Sequence, residues 1–365
     1  MTWSPQQDNA LRAIRHWHRH RTSPLFYLAG YAGTGKTTLA KQIAQDTPGE
    51  VIFCAFTGKA ALVLQRKGCD GARTIHSLIY RPVEVADGPP TFEINEHSDG
   101  EKASLIIVDE CSMVDEELGR DLLALGTPIL VLGDPAQLPP VKGIGYFTRN
   151  DPDFTLTEIH RQAADNPIIR MSMDVRNGKT LRPGRYGESE VIARGTQLDA
   201  DRVMAADQML VGRNATRMRY NARFREVQGT ASPMPVAGDK LVCLRNDKDK
   251  GLLNGGLWKV QKLLNQKGTS IRMAVESDDG RTEQNVSVRT EFFSGKEADL
   301  NKLPWSTRKK HDDFTFGYAL TVHKSQGSQW NDVVVFDESS FFREHSKRHL
   351  YTALTRAAEK VTVVL

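Results

Sequence analysis

Gly30-Tyr31-Ala32-Gly33-Thr34-Gly35-Lys36-Thr37 lies between the apolar run Phe26-Tyr27-Leu28 and a helix-like stretch over 37–45. The spacing is G-x-x-x-x-G-K-T, and its position between a strand and the first turn of a helix is what a phosphate-binding loop requires. Glycines at Gly30, Gly33 and Gly35 let backbone N–H groups turn inward around phosphate oxygens, and Thr34 and Thr38 complete the same cradle. The helix N-terminus adds partial positive charge, Lys36 suits the terminal phosphates of a nucleotide, and the Thr37 hydroxyl suits Mg²⁺.

Working outward, Val51-Ile52-Phe53, Leu105-Ile106-Ile107-Val108 and Ile129-Leu130-Val131-Leu132 are short apolar, β-branched runs, with helix-like stretches over 59–66 and 115–125 between them. Strands alternating with helices predict a parallel sheet, so residues 1–150 read as one α/β domain. The run at 105–108 ends in Asp109-Glu110. Two carboxylates at a strand end, downstream of a phosphate loop, place Asp109 on Mg²⁺ through water and Glu110 on an attacking water.

A second set of strands, Phe154-Thr155-Leu156, Met209-Leu210-Val211, Val333-Val334-Val335-Phe336 and 361–365, alternates with helical candidates over 166–176, 214–227 and 345–357. It predicts a second α/β domain over 151–232 and 312–365. Between them, 233–311 turns to alternating strand-like runs with turn residues and reads as a small inserted β barrel. A shorter insertion at 79–103, with Asp87-Gly88-Pro89-Pro90 between two strand-like runs, reads as a projecting β-hairpin.

Composition narrows the class without deciding it. A chain of 365 residues suits two or three compact units, and 39% apolar with 26% charged residues describes a soluble globular protein. No apolar run reaches the roughly 18 residues of a membrane span, and no secretory signal is visible, which places the protein in the cytoplasm. Cys54, Cys69, Cys111 and Cys243 lie far apart, against both a zinc site and a disulfide framework. A net charge of +4 is compatible with a polyanionic partner but does not require one.

Six further segments identify the kind of nucleotide enzyme. Thr57-Gly58-Lys59-Ala60-Ala61, Thr74-Ile75-His76-Ser77, Leu132-Gly133-Asp134-Pro135-Ala136-Gln137-Leu138-Pro139-Pro140-Val141, Ile159-His160-Arg161-Gln162, Thr321-Val322-His323-Lys324-Ser325-Gln326-Gly327 and Tyr351-Thr352-Ala353-Leu354-Thr355-Arg356-Ala357 follow one another in this order. On these segments the chain resembles the superfamily 1B DNA helicases, nearest their RecD-like and Dda-like members, over almost its whole length. The resemblance implies two RecA-like P-loop domains with ATP and Mg²⁺ in the cleft between them, a β-hairpin pin in the first and an SH3-like β-barrel insertion in the second. It also implies 5′-to-3′ travel on single-stranded DNA and unwinding of forked duplex DNA by a monomer, with single-strand-binding or recombination proteins as further partners. Residue spacing itself shows no direction of travel.

The same resemblance assigns roles. Gln7 would read the adenine edge, His160 would lie beside the base where some relatives carry a stacking tyrosine, and Gly327 would line the nucleotide. Gln137 would sense the γ-phosphate or its attacking water, while Arg161 and Arg356 would reach across the cleft as arginine fingers. Thr57, Lys59, Thr74, His76, Thr321, His323 and Lys324 would hold DNA phosphates, and Phe92 would offer a stacking surface on the hairpin. Competing readings stay open at single positions: Thr57 and Thr74 as helix caps, His323 as a hydrogen-bonded core residue, and Trp258 and Trp305 as barrel core rather than base-stacking groups. Three other functions share these motifs. They are a DNA-dependent translocase within a helicase and nuclease complex, a nucleotide-dependent binding switch, and a superfamily 1 RNA helicase.

Overall fold

Aliphatic runs with no polar alternation are stable only where both faces of a sheet are covered. In the computed structural model, which describes residues 3–83, 85, 88, 91–140, 145–159, 165–278, 280 and 282–365, such runs form the centres of two sheets. The chain begins with β1 (Leu25–Gly30), β2 (Val51–Ala55), β3 (Arg73–Thr74), the hairpin strands β4 (Tyr80–Val83) and β5 (Thr91–Ile94), β6 (Leu105–Asp109), β7 (Ile129–Gly133) and β8 (Phe154–Leu156). Apart from the hairpin pair these make one sheet in the order β3-β2-β6-β7-β1-β8, all neighbours parallel. Leu105, Ile106, Ile107 and Val108 are fully buried at its centre.

Helices α1 (Pro5–His20), α2 (Lys36–Asp46) and α3 (Gly58–Arg66) supply apolar cover. Ser4 and Gln7 form a reciprocal capping box at the start of α1, with Pro5 at its first position, so the helix begins where its unpaired N–H groups find acceptors.

The second half contributes β9 (Gly184–Tyr186), β10 (Ser189–Ile192), β11 (Gln208–Val211), β12 (Lys240–Cys243), β13 (Leu257–Lys267), β14 (Ser270–Ser277), β15 (Glu283–Arg289), β16 (Phe314–Phe316), β17 (Ala319–Thr321), β18 (Trp330–Phe336) and β19 (Ala357–Val364). A second six-stranded sheet has the order β17-β11-β18-β19-β10-β9, parallel except at the β9–β10 edge. Between β11 and β17 the chain leaves to build a five-stranded antiparallel sheet, β15-β14-β13-β12-β16. Trp258 is 4% exposed in the apolar cluster beneath this sheet, edge-on to Phe314, whereas Trp305 is half-buried with Arg245 over its ring.

One helix boundary differs from the sequence reading in a way that matters. The helix expected over 345–357 spans Ser346–Leu354, and Ala357 already belongs to β19. Residues 361–364 are all buried, as in a strand paired on both sides and covered on both faces, and that pairing overrides helical spacing before Arg356 is reached. Arg356 therefore stands in the turn between helix and strand.

Among the described residues the four cysteines are free and buried, and no helix is long and apolar enough to cross a membrane. Part of the hairpin tip, at 84, 86, 87, 89 and 90, lies outside the described residues, as do His160 and Arg161.

Candidate nucleotide site and nucleic-acid interface

Parallel strands put the turns that follow them at one sheet edge, and β6, β7 and β1 are neighbours there. The glycine loop after β1, the carboxylates after β6 and the Asp134–Gln137 turn after β7 thus converge without any long-range contrivance. In the loop, Lys36 Nζ donates to the carbonyls of Gly30 at 2.6 Å and Tyr31 at 3.2 Å. Gly35 has φ 83°, a conformation in which a side chain is strained, and a Cβ on it would also push on Gln7 Nε2, 2.9 Å away.

Thr37 Oγ1 donates to Asp109 Oδ2 at 3.2 Å. A hydroxyl and a carboxylate held together at the mouth of a phosphate loop are the hard oxygen donors Mg²⁺ takes, with water and phosphate oxygens left to complete its shell. Asp109 Oδ1 accepts from the backbone N–H of Glu110 at 2.8 Å, and Glu110 adopts left-handed φ 55°, an uncommon conformation for a residue with a side chain. Burial raises the Glu110 carboxyl above its ordinary pKa; Arg356 opposes the shift and Asp109 adds to it.

Gln137 completes the site from the third turn. With its amide nitrogen toward Glu110, it donates to Oε2 at 2.9 Å while its oxygen accepts from Arg356 at 3.3 Å. Arg356 comes from the turn that leads into β19 of the second sheet and is 5% exposed. Its Nε and one terminal nitrogen donate to the carbonyls of Thr352 and Ser328, both at 3.2 Å, and that same terminal nitrogen lies 3.8 Å from Glu110 Oε1. A carboxylate, an amide and a guanidinium from two sheets thus form one chain across the cleft.

Four more bonds tie the halves together. The Tyr351 hydroxyl accepts from the Ala32 N–H of the glycine loop at 3.0 Å and donates to Asp134 at 2.7 Å. Leu138 N–H donates to Thr352 Oγ1 at 2.9 Å, and Gln326 returns a bond to the Leu138 carbonyl at 3.0 Å. Tyr351 and Asp134 lie inside the quoted motif segments yet carried no role from sequence; a buried tyrosine hydroxyl needing a partner was the signal available.

The structure brings together Lys36, Thr37, Asp109, Glu110, Gln137 and Arg356. Gln7 abuts the loop, but both ends of its amide are taken within the protein, by Ser4 N–H at 3.1 Å and the Thr34 carbonyl at 3.1 Å. Thr38 is exposed on α2. Gly327 packs against α3 rather than the glycine loop: a Cβ there would meet Ala60 Cβ and Thr57 Oγ1 at 3.0 Å.

The residues expected on nucleic acid fall into two groups. Thr57 Oγ1 accepts from Ala60 N–H and Thr74 Oγ1 from Ser77 N–H, both at 3.1 Å, so each caps a helix while its remaining lone pair stays available. Exposed His76 packs edge-on against Phe92 at 4.3 Å, and Phe92 is 52% exposed. Thr321 is buried and accepts from the Lys324 N–H, while the Lys324 side chain is exposed and His323 half-buried. Lys59 departs from this pattern: its ammonium lies 4.7 Å over the Trp330 ring, and burial pushes its pKa down to about 8. Among the described residues no group of three His, Cys, Asp or Glu could hold a metal by itself.

Known proteins resemble this chain over most of its length. The AAA domain profile matches residues 2–197, and the UvrD-like helicase C-terminal domain profile matches residues 316–364. The chain is 30% identical over 370 residues to the ATP-dependent RecD2 DNA helicase of Deinococcus radiodurans, covering 92% of this chain and 46% of that one. It is 26% identical over 377 residues to the ATP-dependent DNA helicase Pif1 of Bdellovibrio bacteriovorus, covering 90% and 81%. To the ATP-dependent DNA helicase dda of Enterobacteria phage T4 it is 36% identical over 185 residues, covering 46% and 40%. The chain therefore spans about half the length of the RecD2 relative and most of the Pif1 one. Among solved structures, Pif1 helicase from Candida albicans superposes with TM-score 0.56 at 20% identity, covering all of this chain and 94% of that one. Bacteroides Pif1 bound to ssDNA gives 0.58 at 19%, covering 99% and 92%. The α/β architecture is that of RecA-like helicase domains.

Proposed function

The chain belongs to the superfamily 1B helicase family, and from that premise we propose that it is an ATP-dependent 5′-to-3′ DNA helicase, one that translocates on single-stranded DNA and unwinds duplex DNA. The observation that carries this reading is the Glu110–Gln137–Arg356 chain across the cleft, since it makes the hydrolytic site complete only when the two halves are together. In this reading the first RecA-like domain runs from the start of the chain through β8, which the sequence pattern assigned to the second domain but which pairs with β1. The SH3-like insertion runs from 233 through β16, which pairs with β12, and the second RecA-like domain comprises the segments before and after that insertion. The β4–β5 hairpin is the pin.

ATP lies with its phosphates in the 30–37 loop, where Lys36 leaves the Gly30 and Tyr31 carbonyls for the terminal phosphates. Thr37 and Asp109 hold Mg²⁺, which when bound neutralises charge on the phosphates during transfer. Glu110 orients the attacking water and takes its proton, a task suited to a carboxylate whose pKa burial has raised. Arg356, with Arg161 as its proposed companion, stabilises charge on the transferring phosphoryl group. Gln137 touches both Glu110 and Arg356, so loss of the γ-phosphate is felt at once on both sides of the cleft. Thr57, Thr74 and His76 on one half and Thr321, His323 and Lys324 on the other grip a strand whose spacing changes as the cleft opens and closes. Melting a base-pair step costs about 1.4 kcal/mol, a small load for one nucleotide hydrolysed. The protein works in the cytoplasm as a monomer.

The test is strand separation on forked duplexes of both tail polarities. With ATP and Mg²⁺, a 5′-tailed duplex is stripped while blunt and 3′-tailed duplexes persist. Stripping of the 3′-tailed duplex alone contradicts the direction. Vigorous DNA-stimulated hydrolysis without stripping of any substrate replaces the helicase reading with that of a translocase.

A further inference from the structure

β17, β11 and β18 are adjacent parallel strands, so the turns leaving their carboxyl ends stand side by side. The first turn carries Thr321, His323 and Lys324, the second Gly212 and Arg213, and the third Glu338 and the segment Ser339–His345. Strands lie about 4.8 Å apart, so the third turn is about 10 Å from the first, the reach of roughly three stacked nucleotides. Only the first of these turns has a part in the proposed strand path.

On the third turn Phe341 is 58% exposed, the most exposed large apolar side chain among the described residues. Its ring is not stranded there by a floppy loop. Glu338, 3% exposed, accepts from the N–H groups of Gly212 and Arg213 at 3.0 Å, from Arg213 Nε at 2.8 Å and from Thr216 Oγ1 at 2.6 Å. This carboxylate fastens the third turn to the second. The next residue, Phe342, is stacked at 4.0 Å on the buried ring of His349, whose two nitrogens have no hydrogen-bond partner, and lies 5.6 Å from His323. Arg343 then takes φ 47° and ψ −116°, a strained conformation for a residue with a side chain. A fixed scaffold with strained backbone thus presents an apolar ring to water.

Arg213 defines what the ring can accept. Its guanidinium lies 3.8 Å from the Phe341 centroid, a planar cation against one π-face. A flat aromatic ligand adds to such a pair by stacking, and a polyanionic backbone is attracted by the exposed Lys324 and Arg343, Arg213 being already paired with Glu338 at 2.7 Å and burial favouring the neutral form of His323. Of the nearby carboxylates, Glu338 is buried and engaged by Arg213, Asp337 accepts from the Ser339 N–H, Glu297 lies 3.6 Å from Arg217, and Glu344 stands at 3.6 Å from His345. We propose that Phe341, backed by Arg213, is a nucleobase-stacking site at the edge of the single-strand path. The proposal rests on the helicase reading and extends it to a third turn. Every base has a π-face, so the site holds the strand without selecting sequence.

The test uses the full chain and two fluorescent oligonucleotides of equal length, oligo-dT and a strand made only of abasic residues, with affinity read by anisotropy. F341A and F341L each weaken oligo-dT binding about tenfold, F341W retains it, and all three bind the abasic strand as the parent does. Hydrolysis at saturating oligo-dT keeps its kcat. If F341A binds both strands like the parent, or loses both equally while the parent binds oligo-dT well, the stacking site is refuted and the helicase reading stands. If the parent itself binds neither strand, both fall.

Discussion

Replacing Arg356 by alanine lowers kcat for ATP hydrolysis by about 10³-fold or more, with a much smaller change in the nucleotide concentration needed for half-saturation. The expectation follows from how the guanidinium is held. Two carbonyls of its own half, on Thr352 and Ser328, fix the side chain, so it reaches Glu110 and Gln137 without ordering cost when the reaction begins. Lysine at this position is expected to recover little. It carries the charge but cannot donate to two carbonyls and an amide oxygen in one plane. Arg356→Ala also leaves two buried carbonyls and the Glu110 carboxylate without their partner, so thermal unfolding is measured alongside. A kcat within tenfold of the parent in a folded variant would remove Arg356 from the reaction.

Glu110→Gln is expected to lower kcat by about 10²- to 10⁴-fold while leaving nucleotide binding intact. The amide keeps the shape of the carboxyl but cannot take a proton from water. The pH profile supplies a second readout. Because burial raises the Glu110 pKa, the parent loses activity on acidification at a higher pH than an ordinary carboxylate would dictate: the active form is the ionised one, present above the raised pKa and lost as pH falls through it. In Glu110→Gln the residual activity no longer has that acidic limb. An unchanged limb would assign the titration to another group.

Much of this was written locally in the chain. The glycine loop, its flanking strand and helix, and the aliphatic run ending at Asp109 are each contiguous, and a parallel sheet then carries their turns to one edge. What sequence did not disclose joins residues far apart. Tyr351 bonds Asp134 and Ala32 across separations of 217 and 319 residues, and no periodicity encodes such a meeting. Lys59 is placed on DNA phosphates by the family resemblance alone, and no local pattern foretells that its ammonium lies over the ring of Trp330, on a strand of the other sheet. The end of the helix before Arg356 was missed for a related reason: short alanine-rich segments satisfy helix and strand patterns equally, and the pairing of β19 with β18 and β10 decides.

Phe341 illustrates the same limit from the surface. In sequence Ser339-Ser340-Phe341-Phe342 is a loop with two aromatics, and only the fold shows which ring is displayed and which, half-buried, is stacked on His349.

The central claim is that closure of two halves on a nucleotide is coupled to a gripped strand, and it is tested most directly by the rate of ATP hydrolysis with and without oligo-dT at fixed Mg²⁺. Coupling predicts a slow basal rate that rises at least tenfold and saturates with oligo-dT, because strand contacts on both halves favour the closed arrangement in which Arg356 meets Glu110. Hydrolysis at the same rate in the presence and absence of the strand would contradict it.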